Sequence, residues 1–448
     1  MLYAALLSFL TLLQGLAASS WEEIALRFVP FALFLELPLT LLVMLGMARY
    51  AARRGPAAPP QAPRGPALRW PRVSCVITCY SEKEDVRHTL QSLAAQDYPG
   101  EIEIIAVVDG AIQNADTLAA ARRHLGPINA GAPRRRLIVL PKWQRGGRVS
   151  SLNAGRALAT GAIVMALDGD TSFDRDMVSN AVRHFRDPNV IAVSGNLRAR
   201  NASTSLATRL QALEYLVSIS GGKTGLSEFN LVNNISGAFG IFRAEILKLV
   251  GGWDAGTAED LDMTQRLKQH FGQHPAWRIV FDPRVVGHTD VPATFREFLR
   301  QRLRWDGDLY YIYVRKYRHN LRPGLLGWPN FLSHLITGVL LQIVMPFLIL
   351  AYSAYLFLSF NTGIVLGILA FVYLAYLAVL ALYFAAYCLL VSDRLAHDAR
   401  YFIYLPLYPF FAYCSRINCA LALLHEMFNR GHLDSAMAPW WVLRKTKF

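Results

Sequence analysis

The sequence predicts an α/β domain with a mostly parallel sheet, set between N-terminal and C-terminal transmembrane helices. Apolar residues concentrate before residue 50 and after residue 331 of a 448-residue chain that is 53% hydrophobic and 17% charged. Between these blocks, short apolar runs alternate with amphipathic stretches, a pattern typical of a parallel sheet covered by helices. Residues 51–72, rich in Pro, Ala and Gly, are predicted to form a linker.

The N-terminal block, residues 1–50, contains two apolar segments. Residues 28–47 are long enough to cross a bilayer, which takes about 20 apolar residues. Residues 3–18 are interpreted as a further span, because the basic start of a signal peptide is missing. An acidic stretch lies between the two, and an arginine cluster follows the second. Since Lys and Arg favour the cytoplasmic side, we expect a multi-pass protein of the inner (plasma) membrane with a cytoplasmic middle region.

The middle region, residues 73–293, is predicted to contain five strands and four helices. The strands are expected at residues 73–79, 102–108, 136–140, 163–167 and 190–195, and the helices at 87–95, 115–125, 149–159 and 177–185. Ligands of such sheets bind at the carboxyl ends of the strands, where Asp109, Asp168 and Asp170 lie. Asp168 and Asp170 are two apart on an extended segment, so both can point at one site. Paired carboxylates suit Mg²⁺ or Mn²⁺.

The rest of the chain is predicted to lie on and in the membrane. Residues 294–330 form interfacial amphipathic helices, and within the C-terminal block, residues 331–427, two clear spans cover 331–360 and 364–390. The last apolar stretch, residues 401–427, contains Pro406, Pro409 and Arg416, so a kinked span and a re-entrant or interfacial helix both stay open. The basic tail, residues 428–448, favours the cytoplasm and an even number of crossings.

Charge and cysteine usage narrow the function classes. The net charge is +14, which suits a phosphorylated substrate or anionic lipid. Nucleic acid is not expected as a partner, because many arginines flank membrane segments and no zinc-finger or RNA-binding signature is present. The five cysteines lack metal-type spacing, and Cys75 and Cys79 lie in an apolar strand, which indicates buried, reduced thiols.

Five motifs occur in a fixed order along the chain. They are Val73-Ser74-Cys75-Val76-Ile77, Asp109-Gly110, Asp168-Gly169-Asp170, Ala258-Glu259-Asp260 and Gln301-x-x-Arg304-Trp305. With the flanking spans, this order resembles the membrane-embedded, processive family-two glycosyltransferases: cellulose, chitin, hyaluronan and poly-N-acetylglucosamine synthases. The resemblance covers the chain from about residue 21 to its end. It implies a GT-A catalytic domain that uses a nucleotide-diphosphate sugar and passes its product through a membrane channel.

The resemblance also implies roles for the acidic residues. Asp109 would contact the uracil or ribose of the donor. Asp168 and Asp170 would bind the metal ion that bridges to the diphosphate. Asp260 would be the general base that takes the proton of the acceptor hydroxyl, and Glu259 would help to position it.

The QxxRW motif is expected to act as one helix face, because positions three and four apart lie side by side. Gln301, Arg304 and Trp305 would point into one cavity, where Arg304 suits phosphate oxygens and Trp305 suits a sugar ring. Arg300 and Arg302 fit better on a membrane-surface helix.

Several positions depart from the family pattern. Residues 78–82 read Thr-Cys-Tyr-Ser-Glu where the family often has Pro-x-Tyr-Asn-Glu, and Tyr80 and Glu82 remain candidate uridine contacts. Arg148 follows Gly147 where the family usually has Lys, and Lys142 lies in the same loop. Both are candidate donor contacts.

Two further observations concern single residues. Ala258 replaces the usual Thr of the triplet that ends in Asp260. Gly222-Lys223-Thr224 mimics the end of a phosphate-binding loop, but Val217 stands where that loop needs its first glycine, so the match is set aside.

The leading interpretation is a processive inverting glycosyltransferase that polymerises a β-linked polysaccharide and translocates it across the membrane. The donor would be a UDP-sugar, with UDP-N-acetylglucosamine favoured and UDP-glucose next. The growing polysaccharide would be the acceptor, and an accessory or regulatory membrane subunit is a further candidate partner. One alternative is a non-processive polyprenyl-phosphate glycosyltransferase, a class that usually lacks QxxRW. Another is a non-catalytic transporter or scaffold, which would leave the middle domain unexplained.

Overall fold

The computed structural model describes residues 36–54, 70–131, 134–254 and 257–434. The predicted span at residues 3–18, most of the linker and the tail after residue 434 lie outside these ranges. The helix Leu37–Arg53 overlaps the second predicted span and continues beyond it.

The middle region is built on an eight-stranded sheet with the order β3-β2-β1-β4-β7-β6-β8-β5. The five predicted strands are confirmed to within a few residues, whereas β5, β7 and β8 were not predicted. The strands are β1 (Val73–Cys79), β2 (Ile102–Asp109), β3 (Arg135–Lys142), β4 (Ile163–Asp168), β5 (Ser172–Phe173), β6 (Val190–Ala199), β7 (Phe239–Arg243) and β8 (Arg278–Thr289).

The expected mostly parallel pairing is confirmed. Strand β1 runs parallel to β2 and β4, β2 to β3, and β6 to β8, while β7 is antiparallel to β4 and β6, and β5 to β8. In register, Thr78 lies opposite Asp168 and Asp109 opposite Lys142. The carboxyl ends of β1 to β4 therefore share one edge, which gathers the motif residues.

The sheet is buried on both faces, as continuous apolar strands require. Alternate residues of β1 point to opposite sides, so Ile77 joins one buried cluster and Val76 the other. A Cβ at Gly155 would lie 2.3 Å from Cγ1 of Val76, so glycine lets its helix approach the sheet closely. The helices of this region are Val86–Ala94, Ala115–Arg123, Leu125–Gly131, Gly147–Leu158, Met177–Val182, Leu206–Glu214, Thr224–Ser227, Ala244–Leu249 and Glu259–Lys268.

The C-terminal region begins with the helix Phe295–Tyr310, called here the QxxRW helix, which starts with a capping box between Thr294 and Glu297. Three helical segments that follow are long and apolar enough to cross a membrane: Trp328–Ser359, Thr362–Leu390 and Leu395–Asn429. The first two match the clear spans predicted from the sequence.

The third segment, Leu395–Asn429, packs lengthwise on the QxxRW helix. Near its start Asp398 forms an ion pair with Arg198 of β6, and the rings of Phe411 and Phe298 are 4.8 Å apart. Near its end Arg315 donates to the carbonyl of Glu426 at 3.0 Å. Both ends of this segment therefore contact parts of the chain that precede it.

Candidate active site

A cavity of about 840 Å³ opens at the carboxyl ends of the strands. Its wall is formed by strand ends, by the helix Glu259–Lys268, by the QxxRW helix and by the helix Tyr408–Asn429. It brings together all the predicted site residues except Lys142, namely Tyr80, Glu82, Asp109, Arg148, Asp168, Asp170, Glu259, Asp260, Gln301, Arg304 and Trp305.

The Asp168 and Asp170 pair stands at the end of β4. A Cβ at Gly169 would lie 3.0 Å from the carbonyl oxygen of Thr78, so glycine lets the turn lie against β1. Burial, reinforced by the charge of Asp168, raises the pKa of Asp170 to about 6. Burial likewise raises the pKa of neighbouring Glu82 to about 7. Negative charge is therefore crowded at this point.

This crowding fits a divalent cation, because carboxylate oxygens are favoured ligands of hard metal ions and a cation relieves their repulsion. Within the described ranges, no group of three or more His, Cys, Asp or Glu side chains is arranged to hold an ion. Asp168 and Asp170 would therefore need oxygen ligands from a bound diphosphate or from water.

Arg148 binds protein groups in the cavity wall. Its Nη1 donates to Asp168 and, at 2.9 Å, to Thr78 Oγ1, while its Nη2 donates to the carbonyl of Gly237 at 2.6 Å. Its Nε donates to Glu259. Arg148 therefore connects Asp168 of the predicted metal site with Glu259. In this arrangement its N–H groups donate to protein atoms.

The carboxylate of Asp109 accepts hydrogen bonds from the turn that precedes the helix Gly147–Leu158. Its Oδ1 accepts hydrogen bonds from Lys142 Nζ at 2.7 Å and from the amide of Gly146 at 2.9 Å. Its Oδ2 accepts from the amide of Gly147 at 2.8 Å. Lys142 is thus placed behind Asp109. The predicted contacts of Asp109 and Lys142 with the donor stay predictions.

Tyr80 stands exposed on the loop after β1, and the guanidinium of Arg145 lies over its ring at 4.1 Å from the centroid. Such a cation–aromatic pair fixes the ring as a flat surface beside the cavity.

Asp260 is held in the first turn of the helix Glu259–Lys268. The preceding Ala258 adopts a left-handed conformation with φ 53°, which is uncommon for a residue with a side chain. Asp260 Oδ2 accepts from Asn234 Nδ2 at 3.0 Å and from the amide of Gly237 at 3.1 Å, and Oδ1 accepts from the amide of Leu261 at 2.8 Å. The carboxylate is therefore fixed within the cavity wall, while Glu259 is buried against Arg148.

The QxxRW helix places Gln301, Arg304 and Trp305 on the cavity, as predicted. The prediction that Arg302 faces the membrane surface is wrong. Arg302 forms an ion pair with Glu214 at 2.7 Å, and its guanidinium lies 4.8 Å from the ring centroid of Trp305. The helix Leu206–Glu214 packs against this face of the QxxRW helix, and the guanidinium of Arg302 lies against the ring of Trp305.

Lys223 and Asp308 are among the charged cavity residues that were missed. Lys223 lines the cavity, although the phosphate-loop match around it had been set aside. Asp308 also lines it, and Thr257 Oγ1 donates to it at 2.8 Å. Burial raises the pKa of Asp308 to about 8. Asp308 lies four residues after Arg304, and this helical spacing was a signal that could have placed it on the cavity.

Comparison with known proteins gives consistent results. A family model described as glycosyltransferase like family 2 matches residues 71–307. The poly-β-1,6-N-acetyl-D-glucosamine synthase of Staphylococcus epidermidis is 29% identical over 305 residues, which is 68% of each chain. The enzyme of the same name from Staphylococcus aureus strain COL is 30% identical over 235 residues, so the match spans 52% of this chain and 53% of that relative.

A solved structure shows the same fold. The mannosyltransferase PcManGT from Pyrobaculum calidifontis, in complex with GDP-Man and Mn²⁺, is similar to 91% of this chain and 99% of its own, with a TM-score of 0.56 and 21% identity.

Proposed function

This chain belongs to glycosyltransferase family 2, and from that premise we propose that it is a processive, inverting enzyme that builds a β-linked polysaccharide from a UDP-sugar. Its fold is GT-A-like, with a mostly parallel sheet and C-terminal apolar helices. N-acetylglucosamine is the favoured sugar, because the relatives named above are poly-β-1,6-N-acetyl-D-glucosamine synthases. Family membership leaves the non-catalytic transporter or scaffold without support.

The continuity of the cavity is the observation that best supports a polymer product. The same cavity runs from Asp168 and Asp170, past Asp260 and Trp305, to Ser415 and Arg416 of the last apolar segment. The predicted donor site and the helix of the last apolar segment therefore line the same cavity. This arrangement suits an acceptor chain that extends from the reaction centre toward the bilayer.

The reaction follows from the residues along this wall. The acceptor hydroxyl attacks the anomeric carbon, the bond from that carbon to the diphosphate oxygen breaks, and UDP departs with the electron pair. Asp260 takes the hydroxyl proton, since its carboxylate is fixed in the wall by three N–H donors. Arg304 would contact phosphate oxygens, and Trp305 would hold the terminal sugar by stacking.

Asp168 and Asp170 would hold Mg²⁺ or Mn²⁺. When bound, such an ion neutralises charge on the departing diphosphate. Arg148 keeps Asp168 in place through their ion pair.

The contacts between catalytic region and membrane helices support a cytoplasmic catalytic domain with two C-terminal crossings. Arg394 pairs with Asp174, and Asp393 with Arg54, so the loop after Thr362–Leu390 lies against the domain. Trp328–Ser359 would leave the domain side and Thr362–Leu390 would return to it. The arginines at the end of Leu37–Arg53 then lie on the cytoplasmic side.

The test is to incubate the purified protein with UDP-N-acetylglucosamine, UDP-glucose or GDP-mannose, with and without EDTA, and to measure nucleotide release and product length. We expect polymer and UDP from UDP-N-acetylglucosamine, neither of them with EDTA, and about 10²–10⁴-fold slower release of UDP with Asp260→Asn. Single-sugar transfer that depends on added polyprenyl phosphate would instead establish the non-processive alternative.

A further inference from the structure

We propose that Lys223 is a positioning residue for Asp260 that acts through Asn234, an inference that rests on the proposed function. Lys223 ends the π-helical stretch Tyr215–Lys223 and lines the cavity, yet it is only 9% exposed. A lysine is rarely buried to this extent without a charge partner, because desolvation of an ammonium group is costly.

A short hydrogen-bonded chain links Lys223 to the predicted base. Its Nζ donates to the carbonyl of Asn234 at 2.8 Å, and the Nδ2 of the same Asn234 donates to Asp260 Oδ2 at 3.0 Å. Thr264 Oγ1 donates to Asn234 Oδ1 at 3.4 Å, which orients the amide. One residue therefore separates the ammonium group from the carboxylate.

No carboxylate forms a direct ion pair with Lys223 in the described part of the chain. Burial lowers the pKa of Lys223 to about 8, and the charge of Asp260 acts in the opposite direction. The two groups therefore interact electrostatically, with Asp260 as the acidic partner.

Three further titratable groups interact with the charge of Asp260, namely Glu259, Asp308 and Tyr313. Arg148 is already bound to Asp168 and Glu259, whereas Lys223 is linked to Asp260 through Asn234.

The consequence for catalysis concerns the position of the base. Asp260 can take the proton of the acceptor hydroxyl only when its carboxylate is held at the correct place in the cavity wall. Without Lys223, the carbonyl of Asn234 loses its ammonium donor, so the amide that orients Asp260 is no longer fixed.

The test is to measure kcat and donor KM for UDP release in wild type, Lys223→Met, Lys223→Arg and the control Lys248→Met. Lys248 is exposed on the helix Ala244–Leu249, away from the cavity. We expect Lys223→Met to lower kcat by about tenfold to a hundredfold with donor KM unchanged, because a misplaced catalytic group slows the chemical step. Lys223→Arg, which keeps an N–H donor, and the control should both keep kcat near the wild-type value.

A purely structural role for Lys223 predicts something different. The melting temperature and UDP binding would then fall together with kcat, or Lys223→Arg would fail to restore kcat, and either result overturns the inference while transferase activity stands. Full kcat in Lys223→Met overturns it as well. Absence of transferase activity in the wild-type protein would overturn the proposed function itself. Equal melting temperatures and equal UDP binding for wild type and Lys223→Met verify that the variant is folded.

Discussion

Replacing Arg148 by Met should destabilise the protein, because the change leaves two acidic groups without their cation. The Arg148 and Glu259 side chains are 9% and 7% exposed, and that of Asp168 is 29% exposed. Removing one partner of a buried ion pair costs about 3–5 kcal/mol. The lower end is expected here, since Asp168 reaches solvent. A loss of about 3 kcal/mol corresponds to a fall in melting temperature of roughly 6–12 °C.

The assay is a thermal melt of the detergent-purified protein, alongside the donor KM. Arg122→Met, at an exposed position on Ala115–Arg123, is the matched control and should melt like wild type. Adding Glu259→Gln to Arg148→Met should restore part of the lost stability, because a buried uncompensated carboxylate is removed. A melting temperature within about 2 °C of wild type together with a raised donor KM would refute this reasoning. That outcome would show that Arg148 contacts the donor phosphates directly.

Three further predictions concern the reaction. Asp168→Asn or Asp170→Asn should abolish turnover, and Asp170→Asn should do so without lowering the melting temperature of metal-free protein, since a repulsion is removed; full activity in either variant would contradict the metal site. Asp260→Asn should bind UDP normally but transfer sugar about 10²–10⁴-fold more slowly, and rapid-quench turnover measures this. Trp305→Ala should shorten the polymer more than it slows donor hydrolysis, whereas Arg304→Ala should raise the donor KM; normal chain length in Trp305→Ala, measured by gel filtration, would rule out the stacking role.

The half of the sheet formed by β3, β2, β1 and β4 was predictable because the sequence signal of its strands is local. Every residue of β1 is buried, and such a continuous apolar run is a strong strand signal. The carboxyl ends of parallel strands must share an edge, so the convergence of Asp109 and Asp168 followed from order alone.

The missed strands have sequences that weaken the same signal. Strand β7 is five residues long and contains Gly240, and β8 contains Asp282 and Pro283, which are unfavourable inside a strand. Their place in the sheet depends on pairing with segments that are distant in the chain, and a short stretch of sequence does not contain that information.

The misplaced and missed side chains have a similar cause. Arg302 has the periodicity of a membrane-surface residue, and only the neighbouring Glu214 gives it a buried partner. The contact of Lys223 with Asp260 runs through Asn234, eleven residues further along the chain. Burial produced by tertiary contact leaves no local pattern.

The pairing of Arg198 with Asp398 has a practical consequence for anyone who wishes to study the catalytic domain in isolation. A fragment cut before the QxxRW helix would leave Arg198 and Glu214 without their partners. It would also expose Leu210, which packs against Phe298 and Phe411, and would lack Arg304 and Trp305. Such a fragment is expected to aggregate and to be inactive, so the smallest working unit should retain the chain through Asn429 and be prepared in detergent or nanodiscs.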